Sequence, residues 1–199
     1  TDLSAVADGA WRRPHRALAC LAPIGAFYNR GLQPSPELRV PSHIDADDHA
    51  ATLEALGHEM QEVDRVIARR LQSDVALINQ ISGYIIHAGG KRMRPKLLLM
   101  FANALGDPGT HRYEMAAVVE FIHTATLLHD DVVDESALRR GKQTANALFG
   151  NAASVLVGDF LYSRAFQMMV AVNRIRVLDV LAEATNVIAE GEVLQLLNV

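Results

Sequence analysis

Residues 120–134 read EFIHTATLLHDDVVD, and this stretch decides the class of fold. On an α-helix, side chains four and seven positions apart share a face. That spacing places His123, Leu127, Asp130 and Asp134 on one stripe, with Asp131 turned partly aside. Asp130 and Asp134 can hold a hard cation between them. Carboxylate oxygens suit Mg²⁺, which takes one or two of them and fills its other positions with water and substrate phosphate. Arg139 and Arg140 follow closely, and guanidinium groups match phosphate oxygens. Acid, metal and arginine this close together describe a diphosphate clamp. The plainer alternative is a solvated acidic helix end. Acidic residues usually gather at helix N-termini, where the dipole favours them; these three sit near a C-terminus, where it does not.

Working outward, the helical period continues in both directions. A first helix is expected to run to about Leu71, with Leu53, Leu56, Met60, Val63 and Ile67 three or four apart and Ser42 or Asp45 as its cap. A second spans about 74–87, carries Val75, Ile78, Ile81 and Ile85, and stops at Gly89-Gly90. Pro95 opens a third over 95–105, where its missing N–H does no harm, and Gly106 closes it. A fourth covers about 111–134, a fifth about 152–172 after Gly150-Asn151, and a sixth about 176–197. Almost no alternating strand pattern is present, so the fold class is all-α. The last helix reaches Val199 without a glycine, proline or polar tail, as a chain cut in mid-structure would.

Residues 1–42 contain Pro14, Pro23, Pro34, Pro36 and Pro41 and no sustained period. They read as a poorly ordered extension, with the helical domain over 43–199. The run Ala17 to Tyr28 follows three arginines as in a signal peptide, but Pro23 interrupts it and no small-x-small cleavage site follows. The chain is half hydrophobic, enough to bury a core, and no stretch approaches the length of a membrane span. It is therefore expected to be soluble. Its single cysteine, Cys20, allows no intrachain disulfide and fits a reducing cytoplasm. A net charge of −4 gives no broad pull on nucleic acid. Any bound anion must meet a local cluster of cations.

Residues 89–95, GGKRMRP, supply such a cluster. Paired glycines let the backbone turn tightly and approach a ligand. Lys91, Arg92 and Arg94 then stand just before the positive end of the next helix. The spacing is not that of a Walker phosphate loop. A solvated basic turn is the bland alternative, but two phosphate-directed motifs in one chain reinforce each other.

These two motifs, the longer stretch EFIHTATLLHDDVVDESALRRGKQTAN at 120–146 and the run from Gly150 to Val199 resemble the trans-prenyl diphosphate synthases. The resemblance covers roughly 45–199. Within the family, VLVGDFLYSRAFQMM and NVIAEGEVLQLLNV are most similar to the octaprenyl-making, quinone-side-chain members. It implies an isoprenoid-synthase helical bundle, incomplete at its C-terminal end, and a Mg²⁺-dependent prenyltransferase that condenses isopentenyl diphosphate head to tail with an allylic diphosphate such as farnesyl diphosphate. By resemblance, Lys91, Arg94, His123 and Arg140 hold isopentenyl diphosphate, Asp130 and Asp134 hold the metal, and Arg139 meets the allylic diphosphate. Ala125 and Thr126, one turn before Asp130, are small where a bulky aromatic ends the product early, which implies a long chain, although close helix packing explains a small Thr126 equally well. A homodimer in the cytoplasm is also implied, with at most peripheral membrane contact through the lipid product.

Family members are longer and carry a second aspartate-rich motif and a Lys-Thr pair downstream, neither of which occurs in these 199 residues. This chain alone is therefore expected to be inactive or very weak. Two rival readings are weighed. His129-Asp130 resembles the HD-type metal phosphohydrolases, with His87 and His123 as further ligands, but GGKRMRP and the two arginines are then unexplained. A non-catalytic partner subunit of a full-length synthase would explain the missing second motif, though not the intact first one.

Overall fold

The structure, a computed structural model, describes residues 46–88 and 90–197, and side chains from residue 50 onward except those of 86–88. The extension read over 1–42, Cys20, the expected caps Ser42 and Asp45, Gly89 and the His87 side chain lie outside that description. In chain order the elements are α1 (Ala46–Arg70), α2 (Ala76–Ala88), α3 (Met93–Ala104), α4 (His111–Val133), strands β1 (Leu138–Arg139) and β2 (Lys142–Gln143), α5 (Ala145–Phe149), α6 (Asn151–Ala171) and α7 (Ile175–Leu196). The all-α expectation holds, and the six expected helices appear with ends moved by about one or two residues.

The core forms around α4. Met115, Ala116, Ala117, Val118, Phe121, Ile122, Ala125 and Leu128 are all buried, a width of apolar surface that only a central helix needs. From α1 come Leu56, Met60, Val63, Val66, Ile67 and Leu71, and from α6 Val157, Leu161, Ala165, Met168 and Met169. Leu53, expected in the α1 stripe, lies outside the core and is exposed. Two ion-pair groups bind the rim of α1 to the start of α4. Arg69 and Arg70 both reach Glu114, and Glu59 meets Arg112 at 2.7 Å. By contrast α7 has no buried residue at all.

Helix ends follow local chemistry. After α3, Asp107 N–H donates to Ala102 O and Gly106 N–H to Asn103 O, with Gly106 at φ 68°. This is a Schellman cap, with glycine where the left-handed backbone requires it. The same pattern ends α4: Ser136 N–H donates to Asp131 O and Glu135 N–H to Val132 O. Here the left-handed position is Glu135, at φ 50°, a conformation that disfavours a residue bearing a Cβ.

Two elements were not expected from the sequence. A hairpin of two-residue strands pairs Leu138 with Gln143 and Arg139 with Lys142. Its turn, Arg140-Gly141, has φ of 53° and 76°, the pair of positive values that a type I′ hairpin turn demands. The short helix α5 follows, capped by the Thr144 hydroxyl, which accepts from Ala147 N–H. Both escape a periodicity search because they are too short for a pattern to repeat.

α4 and α6 approach closely at Gly158. A Cβ there would fall within 2.7 Å of His129 Cδ2 and closer still to Nε2. His129 has little room to give, since its Nε2 sits 3.2 Å from Val155 O and its ring stacks on Tyr162. Gly158→Ala is expected to destabilise the chain by about 1–3 kcal/mol through overpacking, measured by urea unfolding. An unchanged midpoint would show that the two helices are not held at this distance.

Candidate functional site

A cavity of about 760 Å³ opens between α2, α3, α4 and the hairpin. Its wall brings together Lys91, Arg92 and Arg94 from the basic turn, Glu120, His123, Leu127 and Asp131 from α4, and Arg139, Arg140 and Lys142 from the hairpin. Two motifs about thirty residues apart in sequence thus form one cation-rich surface. Gly90 marks where they meet: a Cβ there would lie 3.1 Å from an Arg140 terminal nitrogen. The glycine lets the turn's backbone come up against that guanidinium.

The stripe expected along α4 is divided. His123 and Leu127 face the cavity, and so does Asp131, which helix spacing had turned aside. Asp131 is buried, and Arg139 Nε and Nη2 each lie 2.8 Å from its Oδ1. Helix spacing alone puts Asp131 off the stripe; the hairpin folding back brings the partner that draws it in. Arg139, expected to meet a substrate, is committed to Asp131 on one edge while its side chain stays 38% exposed. Asn146 completes the closure by donating to Asp131 O and Ser136 O, and Thr144 donates to Ser136 O. Tyr84 of α2 braces the other strand, its hydroxyl donating to Gln143 O at 2.5 Å.

Asp130 lies toward a different neighbourhood. Partial burial pushes its carboxyl above the usual value of 3.8, and the charges of Glu192 and Asp134 push the same way, against Arg139. The Tyr162 phenol is raised by burial and by the Asp130 charge. Asp130 therefore has Asp134 on its own helix, Glu192 on α7 and Tyr162 on α6 around it. Excess negative charge of this kind is relieved by a cation. Among the described residues no three His, Cys, Asp or Glu side chains converge to hold a metal by themselves. A hard cation held by Asp130 and Asp134 would take its remaining sites from phosphate oxygen and water, a donor set that fits Mg²⁺. It does not fit the histidine-rich set of an HD phosphohydrolase, and His129 is occupied with Val155 O and with Asp159 at 3.4 Å.

His123 is half-buried, and burial first, then the Arg94 charge, lowers its pKa from the usual 6.5. Glu120 opposes this, while Arg140 and Arg139 add to it. The imidazole is neutral at pH 7 and can donate one N–H to an anion. Lys91 and Arg94 are exposed at the cavity mouth. Ala125 is fully buried in the core cluster, and half-buried Thr126 donates its hydroxyl to His123 O at 2.8 Å. Asp131, Glu120, Glu192 and Tyr162 are the residues that sequence reasoning missed. The first adjoins the motif and was readable; the others come from faces that pair only in the folded chain.

Two outcomes follow. The His123 titration, followed by NMR, should have its midpoint below 6.5 and move upward when inorganic pyrophosphate is added. The unfolded chain takes this proton more readily, so stability should fall as pH drops through the window below 6.5. Asp130→Asn removes one of several like charges and should raise the thermal midpoint at neutral pH without divalent cation. It should also abolish the stabilisation that magnesium chloride confers on the unsubstituted chain; a magnesium response that persists would put the cation elsewhere.

The polyprenyl synthetase family profile matches residues 75–199. Octaprenyl diphosphate synthase of Escherichia coli is 60% identical over 146 residues, covering 73% of this chain and 45% of that protein. A nonaprenyl diphosphate synthase of Rhodobacter capsulatus is 47% identical over 145 residues, covering 72% of this chain and 45% of that one. Among solved structures, a decaprenyl diphosphate synthase from Rhodobacter capsulatus superposes with a TM-score of 0.70 at 51% identity, over 74% of this chain and 46% of its own. A polyprenyl synthase from Caulobacter crescentus, complexed with calcium and isoprenyl diphosphate, also gives 0.70, at 53% identity over 72% and 44%. The chain spans less than half the length of these relatives. With a matched profile over most of its length, and that profile holding both the basic turn and the aspartate motif, this chain belongs to the polyprenyl synthetase family.

Proposed function

We propose that this chain carries the diphosphate- and magnesium-binding part of a long-chain prenyl diphosphate synthase, which extends an allylic diphosphate with isopentenyl diphosphate. The observation that carries the reading is the single cavity where Lys91, Arg94, His123, Arg139 and Arg140 converge beside the acidic end of α4. One cation set with no metal between suits the isopentenyl diphosphate, held by Lys91, Arg94, Arg140 and the neutral His123 N–H. Asp130 and Asp134 suit the allylic diphosphate through Mg²⁺, with the free edge of Arg139 beside them. Bound magnesium would supply neutralisation of the charge that grows on the departing diphosphate.

The chemistry asks little covalent work of the protein. The allylic C–O bond breaks with its electron pair leaving on diphosphate, the isopentenyl double bond forms the new C–C bond, and a proton is lost from the adduct. Arg139 and Arg140 stabilise negative charge where it develops, and the apolar part of the wall, Ile85, Leu127 and Leu128, excludes water from the allylic cation. A long product is supported by the octaprenyl and nonaprenyl relatives rather than by Ala125 and Thr126, neither of which lines the cavity, and a quinone side chain is the use we assign it. A homodimer is supported by the apolar residues that α6 and α7 turn outward, among them Leu156, Val170, Val187 and Ile188. No helix of the described residues is long and apolar enough to cross a membrane, and a cytoplasmic site of action is our reading of that and of the lone cysteine. A non-catalytic partner subunit is not favoured, because it has no use for Asp130, Asp134 and both arginines intact.

The test is binding and turnover with labelled isopentenyl diphosphate, farnesyl diphosphate and magnesium, products resolved by length, beside Asp130→Ala. Both diphosphates should bind, the allylic one in a magnesium-dependent manner that the variant loses, and any product should be long-chain. Failure to bind either diphosphate overturns the assignment.

A further inference from the structure

Three cations stand in the basic turn, yet the structure treats one of them differently. Arg92 Nη1 donates to Glu120 Oε1 at 2.8 Å, and its Nε lies 3.9 Å from Asp64 Oδ1. The Arg92 and Glu120 side chains are 20% and 11% exposed, whereas Lys91 and Arg94 on either side are exposed at the cavity. The backbone of Arg92 is left-handed, at φ 48° and ψ 40°, immediately before α3. A long side chain with a Cβ does not adopt that conformation unless its surroundings impose it. Behind the pair lies a small second cavity walled by Ile67, Leu71, Ile85, Phe121 and Leu161 together with Ser82 and Thr124. One side of the ion pair is therefore mostly apolar, which strengthens its attraction and makes loss of either partner costly.

We propose that Arg92 and Glu120 are positioning residues for the diphosphate site: the pair holds the basic turn in its left-handed form and so fixes Lys91 and Arg94 relative to His123. This rests on the diphosphate reading above. Glu120 lies one turn before His123 on α4, so the pair couples the turn directly to the helix that bears the histidine donor. Released from Glu120, Arg92 would relax to negative φ, rotating the peptide planes that carry Lys91 on one side and Met93-Arg94 on the other. Glu120 is otherwise hard to account for. A carboxylate in the wall of an anion site repels the anion, and burial adds a desolvation cost. As the anchor of the turn it has a purpose.

The experiment is calorimetric titration of the chain with inorganic pyrophosphate, comparing the unsubstituted protein with Glu120→Gln, Arg92→Ala and Arg92→Lys, each checked for cooperative thermal unfolding. Plain electrostatics predicts that Glu120→Gln tightens anion binding, since a negative charge is removed. A positioning role predicts the reverse, a loss of about tenfold or more, the scale on which misplaced binding groups act. Arg92→Ala should weaken binding by a similar factor, Arg92→Lys should recover part of it, and the double variant Arg92→Ala/Glu120→Gln should be no worse than either alone. Unchanged or tighter binding by Glu120→Gln overturns the proposal, and does so even where Arg92→Ala does not fold. Additive losses in the double variant would make Arg92 a direct ligand and also overturn it. If the unsubstituted chain binds no pyrophosphate, the diphosphate reading fails first and this inference with it.

Discussion

Three aspartates sit at the negative end of α4, and their charge has to be answered. The helix dipole offers no help there, and no basic residue lies in the last turn. Asp131 is the hardest case because it is buried, and a buried carboxylate without a partner costs several kcal/mol. Its partner, Arg139, comes from the hairpin that follows. That contact explains why the chain reverses so abruptly after α4, why Glu135, Arg140 and Gly141 accept positive φ, and why Thr144 and Asn146 tie the exit of the hairpin back to Ser136 and Asp131. No ion pair is described for Asp130 or Asp134, and the like charges of Asp134 and Glu192 around Asp130 suit the cation proposed for the pair.

The same logic of answered and unanswered charge runs through the basic turn. Arg92 is paired with Glu120 and looks inward, while Lys91 and Arg94 look into the cavity. Among the described residues, three of the four non-glycine positions with positive φ, Arg92, Glu135 and Arg140, lie in or beside the site. Strain of this kind persists only where neighbouring contacts impose it. The neighbours responsible are visible: an ion pair at Arg92, a Schellman cap at Glu135, and a two-residue hairpin turn at Arg140. Gly90 then permits the two strained segments to touch.

The relatives matched by this chain are more than twice as long as the span they share with it. Within that span the cation-rich side of the site is assembled from α2, α3, α4 and the hairpin. On the acidic side, α7 contributes Glu192 near Asp130 but buries no side chain of its own.

How much of this was legible in the residues differs by length scale. The 3.6-residue period of Leu56, Met60, Val63 and Ile67, or of Ile78, Ile81 and Ile85, is a local property, and the six long helices could be drawn from it to within about two residues. Gly106 and Pro95 marked ends for equally local reasons, a left-handed cap and a first-turn proline. GGKRMRP and the aspartate motif announced their chemistry because charge and spacing on one helix or turn are themselves sequence facts. What tertiary structure decided was pairing. Nothing in the order of residues says that Arg139 answers Asp131, that Arg92 turns to Glu120, or that Glu192 approaches Asp130, because each depends on faces brought together by the packing of separate elements. The hairpin and α5 were equally hidden, being too short to carry a period and held in place by Asp131, Ser136 and Tyr84 from outside their own span.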